Sequence, residues 1–455
     1  MYELAQLHKT ARAIFFSGIT EAKRLQSALL PLSGNAATGP MAITGYNLDR
    51  DYKGNLYAIA IGKAAIEMAA ALDRRLGRKP TDGLIAVPEA IYTSSSQLTG
   101  WRTFAAGHPL PNEESLAAAQ AAFELLDRAN SEEAPVIFLI SGGGSAVMEW
   151  PANDRITLAD LREANRLLTS CGATIGEVNA VRRAFSALKG GKLSKRAPNA
   201  HQVTLIVSDV NRGEEHNVAS GPTLVAPAGA PDPRDVVERY RLSSSLPGAV
   251  LATINEAEIS TAPNLPNHTS HVLVDNQQVI EHIAANLRGR GFPVELAIHI
   301  CEQRIAEGCE LLLSRVKALL EQSRMQDMPA CLISGGEFSC PVQGNGIGGR
   351  NLETALRCAI ALDDSRSRSS DDKIAAGEHI VLLSAGTDGI DGNSRVAGAI
   401  VDETTLARGR ALGLDAERFL ANSDAFNYFN ALGDALITGP TATNVRDLRA
   451  MLVSA

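Results

Sequence analysis

Apolar residues follow two patterns that alternate many times along this chain. Short apolar runs match buried strands, and longer stretches with an apolar residue every three or four positions match amphipathic helices. The predicted strands are residues 56–61, 84–87, 136–140, 203–207, 271–274, 294–298, 330–333 and 380–383. The predicted helices are residues 64–76, 113–129, 157–170, 180–188, 276–288, 306–322 and 352–361. This alternation predicts an α/β fold built on a parallel sheet with helices on both faces.

Two other segments bear on the organisation of the chain. Residues 1–19 place charged side chains among regularly spaced apolar ones, which indicates an amphipathic helix and not a signal peptide. Residues 260–270 are rich in proline, asparagine and histidine, as is typical of a linker. A chain of 455 residues is too long for one core, so we predict two domains, residues 1–264 and 265–455.

The composition narrows the classes of function. Hydrophobic residues make up 45% and charged residues 21% of the chain, as in soluble globular proteins, and no apolar stretch is long enough to cross a membrane. A net charge of -8 and an aromatic content of 4% disfavour a nucleic-acid surface. Six widely spaced cysteines without zinc-site spacing predict a reducing, cytoplasmic setting. We therefore expect no nucleic-acid or membrane partner, and a homodimer is left open.

A glycine cluster predicts an anion-binding loop in front of a helix. The cluster consists of Gly344, Gly346, Gly348 and Gly349. It runs into Arg350-Asn351 and a predicted helix, whose first backbone N–H groups favour negative charge. Glycines at positive φ would bring further N–H groups toward the ligand, and the arginine points to phosphate or carboxylate. The alternative is a solvated turn before an ordinary helix.

In open α/β sheets, ligands bind at the carboxyl ends of the strands, and several predicted strands end in suitable residues. Lys63 follows the first strand after a glycine and could contact a phosphate. The segments 141–145 (Ser-Gly-Gly-Gly-Ser) and 334–337 (Ser-Gly-Gly-Glu) each follow a strand, one in each predicted domain. Two such loops could hold the donor phosphates and a substrate carboxylate, or they could be tight turns only.

Carboxylates also follow predicted strands. Asp209 and Asp388 could bind Mg²⁺, which takes one or two carboxylates together with phosphates and water, or one of them could accept a proton. The alternative for each is a turn-forming or helix-capping role. Asn179 and Arg182, near the start of a predicted helix, could bind a small carboxylate. His108 lies between proline-framed turns, where a hydrogen-bonding role is favoured over proton transfer.

Better-known nucleotide-binding patterns do not fit. Residues 344–349 satisfy Gly-x-Gly-x-x-Gly, but the acidic residue expected at the end of a second strand is absent, because Asp363 and Asp364 follow the helix directly. The Walker pattern and the protein-kinase signatures are missing as well. A phosphoryl-transfer enzyme with this sequence must therefore use another framework.

Taken in order, the motifs of this chain resemble those of the type-2 glycerate kinases over nearly its whole length. The motifs are Ile61-Gly62-Lys63-Ala64, Gly107-His108-Pro109, Ser141-Gly142-Gly143-Gly144-Ser145, Asn179-Ala180-Val181-Arg182, Lys189-Gly190-Gly191, Ser208-Asp209-Val210, Ala219-Ser220-Gly221-Pro222-Thr223, Ser334-Gly335-Gly336-Glu337, Gly348-Gly349-Arg350-Asn351, Gly386-Thr387-Asp388-Gly389 and Thr438-Gly439-Pro440-Thr441.

The resemblance implies a fold and a reaction. It implies an N-terminal Rossmann-like domain with a doubly wound parallel sheet, a smaller C-terminal α/β domain called MOFRL, and an active site in the cleft between them. It further implies ATP- and Mg²⁺-dependent phosphorylation of D-glycerate at its 2-hydroxyl, giving 2-phosphoglycerate. Two alternatives are kept: an NAD(P)H-dependent oxidoreductase of the hydroxypyruvate or tartronate type, and a nucleotide-responsive binding protein without turnover.

The resemblance and the residue chemistry together give the expected site. The catalytic positions are Lys63, Asp209, Arg350 and Asp388, of which the two aspartates are also the expected metal ligands. The expected substrate-binding residues are Ser141, Gly142, Gly143, Gly144, Ser145, Asn179, Arg182 and His108. The expected ATP-binding residues are Ser334, Gly335, Gly336, Glu337, Gly346, Gly348, Gly349 and Asn351. The chain departs from the family pattern at Arg183-Ala184 and at residues 211–214, two segments expected to line the acceptor pocket, so the departures bear on the choice of hydroxy acid.

Overall fold

The computed structural model describes residues 2–28, 42–43, 46–47, 53–93, 97–257, 265–367, 375 and 377–455. The chain forms two compact units. One unit consists of residues 24–274 and is called the central unit below. The other combines residues 1–23 with residues 275–455 and is called the terminal unit.

The elements follow one another in the α/β order that the apolar pattern predicts. The strands are β1 (Ala42–Ile43), β2 (Tyr46–Asn47), β3 (Tyr57–Ile61), β4 (Asp82–Pro88), β5 (Trp101–Ala106), β6 (Val136–Ser141), β7 (Gln202–Val207), β8 (His268–Val274), β9 (Val294–Leu296), β10 (Ala330–Gly336), β11 (His379–Gly386), β12 (Gly398–Asp402), β13 (Ala435–Leu436) and β14 (Asp447–Ser454). The helices are α1 (Leu4–Ala28), α2 (Ala65–Leu76), α3 (Glu113–Ser131), α4 (Gly144–Val147), α5 (Leu158–Ser170), α6 (Ile175–Phe185), α7 (Pro233–Arg239), α8 (Gly248–Glu256), α9 (Asn276–Gly289), α10 (Ile305–Leu313), α11 (Val316–Gln326), α12 (Arg350–Ser367), α13 (Thr405–Ala411), α14 (Ala416–Ala421) and α15 (Ala425–Leu432).

The central unit is built on a six-stranded parallel sheet in the order β5-β4-β3-β6-β7-β8. Numbered from β3, this is the order 3-2-1-4-5-6 of a doubly wound Rossmann-type sheet. Tyr57, Ile59 and Ile61 of β3 pack in one core with the apolar face of α3, and the alternate residues Ala58 and Ala60 are equally buried. Both faces of the sheet are therefore covered, which confirms the predicted fold class for this unit.

The terminal unit contains a second six-stranded sheet, in the order β13-β12-β11-β14-β10-β9. Only β9 and β10 pair in parallel, and the other neighbouring pairs are antiparallel. The predicted α/β class holds here too, but the parallel sheet expected from the alternation of elements is wrong for this unit. The reason is that β14 inserts antiparallel between β10 and β11, and that β12 and β13 add further antiparallel pairs at the edge.

The boundary between the units differs from the predicted one. The expected linker at residues 260–270 lies partly outside the described residues, and its last residues belong to β8, which pairs with β7. The division therefore falls after Val274 and not at residue 265. The predicted N-terminal helix is present as α1, and its first part belongs to the terminal unit, where His8 Nε2 lies 2.7 Å from Asp402 Oδ2 of β12.

Local sequence signals explain several helix starts. Thr174 and Glu177 form a reciprocal capping box, and α6 consequently begins at Ile175 and not at residue 180 as predicted. Thr157 and Asp160 cap α5 in the same way. The single helix predicted for residues 306–322 is instead two helices, α10 and α11.

Candidate active site

The first candidate site lies where the strand order of the central sheet reverses, between β3 and β6. This is the edge where doubly wound sheets bind ligands. The N–H of Lys63 donates to the carbonyl of Gly142 at 2.9 Å, which ties the two strand-end turns together. Gly62 has a φ of +108°, and a Cβ at this position would lie 2.4 Å from the Ser141 carbonyl oxygen, so only glycine fits there.

Ser141 holds this turn in place. Its hydroxyl accepts from the N–H of Ala64 at 3.0 Å and donates to the carbonyl of Ile61 at 3.1 Å. The residue is fully buried. The structure therefore uses the Ser141 hydroxyl inside the fold, where it positions the expected substrate loop.

Lys63 and His108 flank the glycine turn that follows β6. A Cβ placed on Gly143 would lie 3.1 Å from Lys63 Cγ and 3.4 Å from His108 Nε2. Gly143 has a φ of +79°, which a residue with a side chain rarely adopts. The structure thus brings together three of the predicted site residues, Lys63, His108 and Gly143.

A hydrogen-bonded chain of polar side chains continues from this turn. Ser145 Oγ lies 2.7 Å from Ser220 Oγ, and the Ser220 hydroxyl donates to Asn179 Oδ1 at 2.8 Å. Asn179 Nδ2 donates to the carbonyl of Asn217 at 3.2 Å. The predicted residues Ser145 and Asn179 are therefore linked, and the link runs through Ser220, for which the sequence analysis gave no role beyond a family motif.

Arg182 lies at the end of this series of hydrogen-bonded side chains, and its own hydrogen-bond partners are uncharged. Its Nε donates to Asn165 Oδ1 at 2.8 Å and its Nη1 to Asn179 Oδ1 at 3.4 Å. Its exposed fraction is 7%, and it forms no ion pair with the carboxylates of the described residues. Burial lowers the pKa of the Arg182 guanidinium from 12.5 to about 10, although the negative charge of Glu149 acts to raise that pKa. A buried guanidinium that makes no direct ion pair favours the entry of an anion.

Asp209 follows β7 at the same edge of the sheet. Val207 pairs with Ser141 in the parallel ladder, so the residues after both strands emerge side by side. The adjacent Ser208 donates its hydroxyl hydrogen to the carbonyl of Val210 at 3.3 Å, which bends the chain at Asp209. The position fits the predicted carboxylate at a strand end.

The second candidate site lies in the terminal unit, where β10 and β11 end on either side of β14. Gly336 of β10 and Gly386 of β11 both pair with Asp447, the first residue of β14. The segments that follow β10 and β11 therefore leave the sheet on the two sides of one carboxylate. Asp447 is fully buried, and no pattern in the sequence predicts it as a site residue.

Arg350 is held by two carboxylates in this site. Its Nε donates to Asp447 Oδ2 at 2.6 Å and its Nη2 to Asp447 Oδ1 at 3.1 Å, while Nη2 also lies 2.9 Å from Glu337 Oε1. Burial acts to lower the pKa of the Arg350 guanidinium, but Asp447 and Glu337 together hold that pKa well above its usual range. The side chain keeps 35% of its surface exposed, so one side of the guanidinium can be reached.

Asn351 and Asp391 fix the start of α12 beside Arg350. Asn351 Nδ2 donates to Asp447 Oδ1 at 2.9 Å, and its Oδ1 accepts from Ser384 Oγ at 2.7 Å. The backbone N–H groups of Asn351 and Leu352 donate to the two oxygens of Asp391 at 3.0 and 2.8 Å. Burial raises the pKa of Asp391 to about 7, although these N–H bonds act in the opposite direction. Asp391 is thus a helix cap.

The glycine loop before α12 differs from the expected open cradle. None of the four glycines of this loop is among the residues with positive φ. They are required instead for close packing, since a Cβ on Gly346 would lie 2.4 Å from Asp424 Cβ and one on Gly349 would lie 2.5 Å from the Gly392 nitrogen. The N–H groups of Gly346 and Gly348 donate to Asn422 O at 3.0 Å and Asn393 Oδ1 at 2.8 Å. The expectation of positive φ is therefore wrong, and these two N–H groups already have acceptors within the fold.

Arg449 fixes the last residues of β10. This fully buried arginine donates from Nε to Ser334 Oγ at 3.1 Å and from Nη2 to the carbonyl of Gly335, and its guanidinium stacks 3.8 Å above the ring centroid of Phe338. A Cβ on Gly335 would lie 1.7 Å from Asn276 Oδ1, so the strand tolerates no side chain there. The expected loop at residues 334–337 is therefore wrong for Ser334, Gly335 and Gly336, which are the last residues of β10 and pair with β14, and Glu337 is the first residue after the strand.

Asp388 follows β11 in a tight turn. Its Oδ1 accepts from the N–H of Ile390 at 3.1 Å, the conformational role weighed in the sequence analysis. Among the described residues, no group of three or more histidine, cysteine, aspartate or glutamate side chains is arranged to hold a metal ion.

Comparisons with known proteins match both parts of the chain. Residues 10–255 match the family described as "Domain of unknown function (DUF4147)", and residues 330–447 match the "MOFRL family". The D-glycerate 2-kinase of Thermotoga maritima is 34% identical over 403 residues, which cover 88% of this chain and 90% of that protein. The chain belongs to the MOFRL-containing glycerate kinase family. This membership confirms the resemblance found in the sequence motifs.

Structural similarity extends over the whole glycerate kinase fold. The crystal structure of the Thermotoga maritima glycerate kinase superposes with a TM-score of 0.73 at 31% identity, covering 97% of this chain and all of that one. A relative from Agrobacterium vitis, 34% identical over 88% of this chain, carries the provisional name of a hydroxypyruvate reductase.

Among the described residues, no helix has the length and apolar character of a membrane span.

Proposed function

We propose that this chain transfers the terminal phosphoryl group of ATP to the 2-hydroxyl of D-glycerate and so forms ADP and 2-phosphoglycerate. The observation that carries the proposal is its similarity to a glycerate 2-kinase and to a glycerate kinase structure along both units. In the reaction the hydroxyl oxygen forms a bond to the γ-phosphorus, and the bond to the β–γ bridging oxygen breaks. The hydroxyl proton passes to a carboxylate.

The central unit is assigned the hydroxy acid. Arg182 offers a buried positive charge without a carboxylate partner, which suits the single negative charge of glycerate. Lys63 stands at the switch point of the sheet, next to the turn at Gly143. In this assignment the carboxylate of the acid binds Arg182, and Lys63 neutralises charge on the transferring phosphoryl group.

The terminal unit is assigned the nucleotide. Arg350 stands at the first residue of an 18-residue helix, where the helix dipole adds to its own positive charge. Glu337 and Asp447 hold the guanidinium, and phosphate oxygens would take over part of these bonds. The end of β10 and Glu337, residues 334–337, would line the nucleotide pocket together with Asn351 and the glycines before α12.

Mg²⁺ is assigned to one of the two strand-end carboxylates, Asp209 of the central unit or Asp388 of the terminal unit. Mg²⁺ is usually bound by one or two carboxylates with substrate phosphates and waters, so a single carboxylate at a strand end suits this ion. When bound, it would screen the negative charge of the phosphates. One of the two aspartates would serve as the acceptor of the hydroxyl proton, and the other as the metal ligand.

Two assays on one preparation separate the kinase from the oxidoreductase alternative. ADP release is followed with ATP and D-glycerate, and NADH absorbance is followed with hydroxypyruvate. The proposal expects ADP release that depends on D-glycerate and no NADH oxidation. NADH oxidation without ADP release would support the reductase, and binding of ATP without either activity would support a binding protein.

A further inference from the structure

The segment 216–221 has a backbone that the proposed function does not explain. Ala219, Ser220 and Gly221 are three consecutive residues in the left-handed region, with φ values of 52°, 62° and 67°. Such a conformation is unfavourable for alanine and serine, so other contacts must impose it. Gly221 is needed because a Cβ there would lie 2.3 Å from the carbonyl oxygen of His216.

Arg183 is the side chain that holds this segment. Its Nη2 donates to the carbonyl of His216 at 2.8 Å and to Asn217 Oδ1 at 2.6 Å, and its Nε donates to the carbonyl of Ser220 at 3.3 Å. The Ser220 carbonyl also accepts from the N–H of Gly190 at 3.3 Å. One guanidinium thus bonds both ends of the strained segment.

The segment is pressed against the turn of the candidate acceptor site. A Cβ on Gly144 would lie 2.6 Å from Cβ of Ala219, so the absence of a side chain at Gly144 lets the segment approach. Ser220 is fully buried in this arrangement, while the neighbouring Ser145 stays half-buried.

The donor and acceptor of each hydrogen bond between Ser145, Ser220 and Asn179 follow from the other partners of Asn179. Asn179 Nδ2 faces the carbonyl of Asn217, and Arg182, which can only donate, faces Asn179 Oδ1. Asn179 Oδ1 is therefore an acceptor, and Ser220 must donate its only hydroxyl hydrogen to it. Ser145 in turn must donate its hydroxyl hydrogen to Ser220 Oγ. Toward a ligand, Ser145 Oγ can then only accept a hydrogen bond.

We propose that Ser220 is a positioning residue, held by Arg183, that makes Ser145 an acceptor for the substrate hydroxyl that is not phosphorylated. The inference rests on the proposed function for the identity of the substrate. Ser145 is a poor candidate for taking the proton of the reacting hydroxyl, because its hydrogen bonds lead to the Asn179 amide, which is not a base. Its acceptor lone pairs instead recognise a second O–H. The site therefore favours dihydroxy acids, such as glycerate, over 2-hydroxy acids that lack the terminal hydroxyl, such as lactate.

The Ser220→Gly variant tests this role, because glycine accepts a positive φ without strain and the change removes the hydroxyl together with its Cβ. Binding of D-glycerate and of D-lactate is measured by calorimetry in the wild type and the variant, beside kcat and KM for ADP release with each acid. We expect the preference for glycerate to fall about 10-fold, as for one lost hydrogen bond, and a cooperative thermal unfolding transition checks that the fold is retained. Arg183→Gln should shift the preference in the same direction.

Glu133→Gly is the matched control, since Glu133 is an exposed residue of the central unit with a φ of 50° and no role in the site. Its preference for glycerate should equal that of the wild type. An unchanged ratio of the two dissociation constants in Ser220→Gly would overturn the inference, whatever the turnover. If the wild type binds both acids but transfers no phosphoryl group, the proposed function fails while the binding ratio still decides the inference. If the wild type binds neither acid, both fail.

Discussion

Arg350 and Asp447 form a two-point ion pair at the start of α12, with 2.6 Å from Nε to Oδ2 and 3.1 Å from Nη2 to Oδ1. Asp447 also accepts from Asn351 Nδ2, so one buried carboxylate fixes both residues that begin the helix. Burial acts to raise the pKa of Asp447, but Arg350 holds that pKa below its usual range. The carboxylate is therefore charged in the folded protein.

Asp447→Asn should weaken the terminal unit and the proposed nucleotide site together. The change removes charge-assisted hydrogen bonds, which contribute about 1.5–3 kcal/mol each in favourable cases. We expect faster hydrogen exchange in β10, β11 and β14 and a higher KM for ATP. Asp363→Asn is the control, because Asp363 forms a similar two-point pair with Arg410 at 2.8 and 2.9 Å on the surface. Surface pairs contribute about 1 kcal/mol or less, so equal effects of the two variants would contradict the role of Asp447.

Lys63→Ala and Arg350→Ala should each lower kcat about 10²-fold or more, as for the loss of one aligned transition-state donor. Arg350→Lys keeps a positive charge beside Asp447 and should still lose much of the rate, because the two-point geometry is gone. Circular dichroism checks that the fold is retained. Lys79→Ala, which removes an exposed lysine paired with Asp73, should leave the rate unchanged. Wild-type turnover in the Lys63 or Arg350 variants would remove that residue from the site.

Asp209→Asn and Asp388→Asn should separate the metal ligand from the proton acceptor. The variant that loses a metal ligand should need more Mg²⁺ for half-maximal ADP release. The variant that loses the base should keep the Mg²⁺ dependence and lose the acidic limb of its pH–rate profile. Asp127→Asn, at an exposed carboxylate paired with Arg196, is the control for both measurements. Two variants with unchanged metal and pH dependence would contradict both assignments.

His268 should make the central unit less stable in mild acid. His268 is the first residue of β8, and its Nε2 lies 2.8 Å from Thr204 Oγ1. Burial lowers the pKa of His268 from 6.5 to about 4. Between these values the unfolded chain binds a proton that the folded chain does not. The contribution of neutral His268 to the free energy of unfolding is therefore fully present above pH 6.5. It decreases as the pH falls toward 4, and the free energy of unfolding falls by about 1–3 kcal/mol over this range.

His268→Asn should flatten this part of the dependence of unfolding free energy on pH, measured by denaturant titration between pH 4 and 7.5. His299→Asn, at an exposed histidine, should keep the wild-type slope. A wild-type slope in His268→Asn would show that another group causes the acid sensitivity.

Local patterns predicted most of the elements that carry the site. The strands β3, β6, β7, β10 and β11 are predicted because they are short buried runs, and Lys63, Asp209 and Asp388 remain predicted site residues because they follow such runs. The apolar pattern missed β14, although it lies at the centre of its sheet. Its sequence carries Asp447 and Arg449, whose charges are paired or stacked only after residues distant in the chain come together.

The glycine loop and the Ser220 segment show a second limit of the sequence. Glycine permits both positive φ and close packing, and the sequence of the loop before α12 does not say which one is used. The structure uses close packing at Gly346 and Gly349. At Ser220 the positive φ is imposed by Arg183, which is 37 residues away in the chain. Both features depend on tertiary contacts.

The most direct test of the account is to identify the product by phosphorus NMR after incubation of the chain with ATP, Mg²⁺ and D-glycerate. The account predicts a signal split by the single hydrogen on C2, which identifies 2-phosphoglycerate, in step with the appearance of ADP. Phosphate on the terminal hydroxyl would contradict the proposed arrangement of the acid. The absence of any phosphorylated acid from an enzyme that oxidises NADH with hydroxypyruvate would contradict the kinase itself.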